Sequence, residues 1–414
     1  MKQNIAIVGA GVSGLVAALY LENLGYSPTI YEASKTVGGR VKSDIFDDYI
    51  LDHGFQVLLS DYPIAKKYLD YESLDLIPFN SGSYIFKEGK QHTIGDPLRD
   101  ISLMPSTLFA SIGSVSDKFK ILKLSKELKN KTIDTIFASA EVTTLEYLKS
   151  FGFSDEILND FFIPFFGGIF LEQELQTSSR MFEFLFKMFS KGTAVIPEKG
   201  MQAISDQLYS KLKETKIVFS KRIIQIQGNN IVFEDDTIQN VDFCIVATEA
   251  SGLISNMTST GIDWKATQTL YFEVMDVTFK KHMIGLVASS ENSIINSICF
   301  PKSKKSDALH ELLSVSIVKK HQFSEYELIQ KVKEELKKIF NIVPLKYLKT
   351  YNIPKALPAL TNIQYTLSPS ETQLTDSLFL AGDTMLNGSL NAAMHSGELA
   401  AQAVHEKITG TVLG

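Results

Sequence analysis

Six residues near the start of the chain, Gly9-Ala10-Gly11-Val12-Ser13-Gly14, have the types and spacing that bind a pyrophosphate. Eighteen positions after Gly14 stands Glu32, followed by Ala33, where a carboxylate can accept hydrogen bonds from an adenosine ribose. Gly9 permits a tight turn, Gly11 lets the backbone come close to phosphate, and Gly14 lets a helix pack on a strand. Val12 and Ser13 would open that helix, whose free N–H groups and positive end stabilise negative charge without a lysine. A carboxylate at position 32 disfavours a 2′-phosphate, so the spacing points away from NADP.

The elements needed to hold these residues are legible around them. Asn4 to Val8 is an apolar run suited to a buried parallel strand. Leu15 to Leu24 carries apolar residues at helical spacing before Gly25, a helix stop, and Tyr26 to Tyr31 reads as the second strand. Gly38-Gly39-Arg40 then places flexible backbone and a fixed guanidinium just after the ribose carboxylate. With Glu32 and this Gly-Gly-Arg, the chain resembles the flavin amine oxidase and phytoene desaturase superfamily, and the resemblance implies FAD. It continues in Asp52-His53-Gly54-Phe55-Gln56 and in Leu378-Phe-Leu-Ala-Gly382-Asp383. It implies that Asp383 binds the ribityl chain, and that Gly388, Ser389, Leu390 and Ala392 begin a last helix, reaching about Ile408, aimed at the flavin ring. Ala393 and Gly397 would keep that helix slim, either for cofactor or for ordinary helix packing.

Ile217 to Ile226 and Ile231 to Phe233 read as paired strands around Gly228-Asn229-Asn230, and Phe243 to Ala247 as another buried strand. Ile223 resembles the superfamily's adenine-side strand, or is a plain core residue. At 414 residues the chain exceeds one ordinary hydrophobic core. The expected fold is α/β: a discontinuous Rossmann-like FAD-binding domain (1–60, 191–250 and 371–414) with an inserted α+β substrate-binding domain (61–190 and 251–370).

The inserted segments hold most of the phenylalanines, of which the chain has 27. Phe161, Phe162, Phe165, Phe166 and Phe170 crowd together ahead of Phe182, Phe184, Phe186 and Phe189, forming either core or an apolar pocket. Phe166 and Tyr271 are candidate pocket walls, although the apolar run around Tyr271 favours a core strand for it. Arg180 would meet a substrate carboxylate or pair with Glu183 or Glu172. His53 and Gln56 are the candidates for groups beside the flavin ring, with His395 a weaker one; the alternative for His53 is a structural donor in a turn. The lysine and aromatic cage of the amine oxidases have no clear counterpart. An FAD-dependent oxidoreductase is expected, dehydrogenating a hydrophobic, polyene- or lipid-like substrate by hydride transfer to flavin N5. The alternatives are a flavin amine oxidase and a redox-neutral isomerase using reduced FAD. One dinucleotide motif without a second points to oxygen or a quinone as electron acceptor.

A formal charge of −6 argues against nucleic-acid binding. Two cysteines, Cys244 and Cys299, offer no metal or redox spacing, and no metal is expected. No stretch approaches the roughly 18 apolar residues of a spanning helix, and the first strand begins almost at Met1 with no leader before it, so a cytoplasmic enzyme is expected. Lysines alternating with apolar residues over 117–131 form either a solvated face or a helix for peripheral contact with anionic lipid.

Overall fold

The computed structural model describes residues 3–95, 107, 110–254, 262–275, 282–301 and 310–411. Its centre is a five-stranded parallel sheet in the order Lys216–Val218, Thr29–Tyr31, Ile5–Val8, Phe243–Val246 and Leu378–Leu380. The central neighbours Ile5–Val8 and Phe243–Val246 thus come from segments more than 200 residues apart, which short apolar runs permit because their side chains are covered on both faces. Ile5 and Ile7 point into the main core, whereas Ala6 and Val8 point to the other face. On that other face lies an antiparallel ribbon of Ile223–Gln227, Asn230–Phe233 and Ile238–Asn240. The first face is covered by helices Val12–Asn23 and Leu390–Thr409, which cross so closely that a Cβ on Gly397 would overlap the Ser13 carbonyl oxygen.

The expected continuous strand from Ile217 to Ile226 is in fact two strands in different sheets. Ile217 pairs with Ile30 in the parallel sheet, while Ile223 pairs with Phe233 in the ribbon. Between them Ser220 turns at φ 53°, and its N–H is taken by the Ser34 carbonyl at 2.9 Å. A tertiary hydrogen bond therefore stops the strand where side-chain pattern alone would let it run.

A second, seven-stranded sheet has the order Pro344–Pro358, Trp264–Val274, Glu311–Ile317, Ser297–Cys299, Ile284–Val287, Gly82–Lys87 and Lys90–Gly95. Among its neighbours only Ile284–Val287 and Gly82–Lys87 run parallel. Leu270, Phe272, Leu313 and Val315 face one way, under Leu328, Val332, Leu336 and Phe340 of helix Glu325–Phe340. The opposite face looks toward the parallel sheet. Helices Val115–Asn130, Ile163–Phe170 and Ser179–Lys191 close the third side.

The lysine-rich segment forms Val115–Asn130, started by a capping box between Ser114 and Asp117. Its lysines do not form one solvated face. Lys118 is buried and donates to the Ala110 carbonyl at 2.8 Å, and Lys120 reaches the Gly152 carbonyl. Among the described residues no helix is long and apolar enough to cross a membrane.

Candidate active site

One cavity of about 1400 Å³ lies between the two sheets and the phenylalanine-bearing helices. It opens at the carboxyl ends of the parallel strands, where open α/β sheets bind their ligands. Gly9, Gly11, Val12 and Ser13 form its floor. Gly11 is the N-cap of the first helix and supplies no side-chain cap; a Cβ there would project into open space with nothing within 4 Å. Gly14 does not reach the cavity, because it serves the packing beneath: its Cβ would overlap the Gly9 carbonyl oxygen.

Glu32 stands on the wall with its carboxylate already oriented. One oxygen accepts from the Ala10 N–H and the other from the Ser34 N–H, both at 2.7 Å. Each oxygen keeps a lone pair for a hydroxyl. Ala33 is exposed and off the wall, and Ile223 lies in the ribbon, also off it.

Gly38, Gly39 and Arg40 line the next stretch. The Arg40 guanidinium forks onto Asp383, donating from Nη1 to Oδ2 at 2.9 Å and from Nη2 to Oδ1. Asp383 is buried, so the pair orients both groups in a low dielectric. Arg40 also stacks at 5.1 Å on the ring of Trp264, with Lys355 5.9 Å from the same ring. Lys355 is itself paired with Glu249. Trp264 and Lys355 belong to strands of the second sheet, and sequence reasoning overlooked both; the chain's lone tryptophan was the available signal. The Trp264 indole N–H is buried with no protein acceptor.

Gly382, Gly388, Ser389 and Leu390 complete the wall. Ser389 caps the last helix, accepting from the Ala392 N–H at 3.0 Å and donating to Asn387 at 2.7 Å. Ala393 reaches the cavity; Ala392 instead packs with Leu367, Leu386 and Leu399.

His53 and Gln56 both lie along the cavity, and only the Gln56 side chain is engaged in hydrogen bonds with its own chain. Gln56 donates to the Arg40 and His53 carbonyls, each at 3.0 Å, tying two wall segments together. The His53 ring lies 4.5 Å from that of Tyr351, with Nε2 3.1 Å from Asp44 Oδ1 though off hydrogen-bond geometry. Asp44 also accepts from Lys349 and Tyr351. Burial pushes its carboxyl up, but these donors outweigh burial and hold it well below the usual range. His395 lies off the wall and meets Thr366 at 2.9 Å.

Tyr271 is not on the cavity wall. It is buried beside Tyr49, Leu51 and Tyr351, and its hydroxyl donates to the Asp52 carbonyl at 3.0 Å. Phe166 is both core and wall. With Phe161, Phe165, Phe186 and Phe189 it bounds the cavity, whereas Phe162, Phe170, Phe182 and Phe184 turn into the core. Arg180 takes none of its expected partners: it donates to the Ser139 carbonyl and sits 3.7 Å from Glu141. Glu183 is held by Lys131 and Glu172 by Lys265, so neither was available. Among the described residues no group of three or more His, Cys, Asp or Glu could hold a metal. Cys244 and Cys299 are free and buried, and burial pushes each thiol up to about 12.

Residues 12–405 match the family of flavin containing amine oxidoreductases, and the chain belongs to it. The L-amino-acid oxidase of Sistrurus catenatus edwardsii is 23% identical over 329 residues, covering 74% of this chain and 60% of that oxidase. The chain thus matches less than two thirds of that relative's length. Two solved structures share the fold across nearly the whole chain. A putative protoporphyrinogen oxidase from Exiguobacterium sp. 255-15 has a TM-score of 0.71 at 18% identity, covering 98% of this chain and 99% of that one. A fatty acid isomerase from P. acnes has a TM-score of 0.71 at 17% identity, covering 96% and 97%. FAD is the cofactor that the family implies. The residues here fit it: an uncapped helix start and Gly11 for pyrophosphate, Glu32 for ribose, and an acceptor-free Trp264 N–H at the same wall.

Proposed function

We propose that this chain is an FAD-dependent oxidoreductase that dehydrogenates a hydrophobic, lipid-like substrate. The observation that carries the proposal is convergence: the glycine turn, Glu32, Arg40 with Asp383, and the phenylalanine wall all meet in one cavity. Bound FAD supplies a hydride acceptor. The residues of the chain then have three tasks. Gly11, Val12, Ser13 and Glu32 anchor the dinucleotide end, and Arg40 and Asp383 orient each other beside it. Phe161, Phe165 and Phe189 exclude water and hold an apolar molecule against the opposite wall. We place FAD in a domain of segments 1–60, 191–250 and 371–414, and the substrate in 61–190 and 251–370.

Oxygen or a quinone is the acceptor in this proposal, entering through the same cavity. Phe119 supports an approach from a lipid surface, because it lines the cavity and is also exposed on helix Val115–Asn130 next to exposed Val115. A redox-neutral isomerase is the second reading, supported by the shared fold of the P. acnes isomerase. Anaerobic titration separates the two. A substrate of a dehydrogenase bleaches oxidised flavin stoichiometrically, whereas an isomerase turns over only after prior reduction and leaves the spectrum unchanged.

A further inference from the structure

The side of the second sheet that faces the cavity differs from its apolar outer side in carrying hydroxyls. Thr269, Ser316 and Ser297 stand opposite one another on three adjacent strands, forming one row across the sheet. Ser297 is 4% exposed and Ser316 9% exposed, and both line the cavity. Among the described residues neither hydroxyl makes a hydrogen bond, so both stay open to whatever fills the cavity, and the fully buried Thr269 hydroxyl beside them has no partner either. Buried polar groups are normally satisfied, and leaving them unpaired is costly. Phe161, Phe165 and Phe189 line the same cavity, and helix Ile163–Phe170, which carries Phe165, reaches the row where the side chain of Asn296, next to Ser297, donates to the Pro164 carbonyl at 3.3 Å.

Charge is distributed differently. The carboxylates on the cavity's described wall are Glu32, Glu249 and Asp383, and all three lie just past the carboxyl ends of parallel strands. Glu249 and Asp383 are already paired with Lys355 and Arg40. No carboxylate lies on the described wall between the hydroxyl row and the phenylalanines, so a protonated amine there would lose its hydration without gaining a counter-charge.

We propose that the Ser297 and Ser316 hydroxyls recognise an uncharged oxygen function, a carbonyl or hydroxyl, on a substrate whose apolar body lies against the phenylalanine wall. The proposal rests on the oxidoreductase reading of the same cavity and names its substrate class: a neutral oxygenated lipid or ring compound, not an amine. Serine suits this task because its hydroxyl both donates and accepts, and so meets a carbonyl or an alcohol alike.

Four probes of one shape test it: acetylnaphthalene, ethylnaphthalene, naphthylethylamine and naphthoate. Each is titrated into the flavin-loaded protein, with binding read by calorimetry and by the shift of the flavin absorbance bands. The expected result is that the ketone binds about tenfold or more tightly than the other three. Replacing both serines (Ser297→Ala with Ser316→Ala) should abolish the preference over ethylnaphthalene while leaving ethylnaphthalene binding unchanged. Ser316→Ala alone should give an intermediate loss and serves if the double variant folds poorly. Amine binding equal to the ketone's, tightest binding of naphthoate through Lys118, or a ketone preference that survives both substitutions would overturn the proposal. Flavin content is measured on the same samples. Protein that never acquires FAD would count against the cofactor reading, and calorimetry on that apoprotein still decides the ketone preference.

Discussion

Glu32 illustrates how much one side chain does before any ligand arrives. Its two oxygens are aimed by the Ala10 and Ser34 N–H groups, so in the proposed cofactor site a ribose would meet a carboxylate that has little orientation left to lose. Glu32→Ala should weaken flavin binding roughly ten- to a hundredfold, since hydrogen bonds to a charged group contribute about 1.5–3 kcal/mol. Flavin retention on dilution measures this, and undiminished retention would remove Glu32 from the ribose role. Asp383→Ala should also yield flavin-poor protein, because it leaves the Arg40 fork without its carboxylate; full occupancy would argue that the pair is purely structural. A third prediction concerns Asp117, in the capping box of helix Val115–Asn130. Burial raises its carboxyl, but hydrogen bonds from Ser114 and Ser154 outweigh burial and hold it down at about 2. A group depressed in the folded state stabilises the fold above its unfolded value, and the contribution disappears as pH falls toward the folded one. The stability gap between wild type and Asp117→Asn should therefore be about 2 kcal/mol at neutral pH, narrow as pH falls below about 4, and close near pH 2. Urea titrations across that range check it; a gap independent of pH would mean that the carboxylate charge is not what holds the cap.

Among the elements, the pair of helices Val12–Asn23 and Leu390–Thr409 decides where two helix N-termini point. Their close approach depends on Gly397, for which no side chain has room against the Ser13 backbone. Gly397→Ala should force the helices apart and destabilise the protein by about 1–3 kcal/mol. Because Ser13 lines the cavity, flavin affinity should fall with it. A melting temperature and flavin affinity both unchanged would show that the interface tolerates separation. Small residues in the last helix thus have separable duties: Gly397 sets the helix spacing, Ala393 borders the cavity, and Ala392 fills a side cluster.

At the scale of the whole molecule, the cavity exists only because two sheets and a helical layer meet. The parallel sheet contributes the charged and glycine-rich end, the second sheet the hydroxyl row, and the helices the phenylalanines. This division predicts that the cofactor and substrate ends can be altered independently. Phe165→Ala should weaken binding of apolar ligands severalfold while leaving flavin content intact, with calorimetry and absorbance reading the two separately. Loss of both together would mean that the wall supports the whole cavity.

The first forty residues made one end of the cavity readable in advance, because a glycine turn between strand and helix and a carboxylate at the next strand end are local devices fixed by spacing. The last strand with Gly382-Asp383 was legible for the same reason. What lay beyond the sequence was every feature defined by distant neighbours. The division of the phenylalanines into core and wall, the Arg40 fork with Trp264, the partners of Arg180 and the strand break at Ser220 each depend on which surface packing brings opposite. The hydroxyl row belongs to the same group, since only the pairing of three strands puts Thr269, Ser316 and Ser297 side by side. Local spacing determined the glycine turn and the carboxylate beside it; tertiary packing decided which of the remaining side chains face the cavity, and with that the cavity's shape.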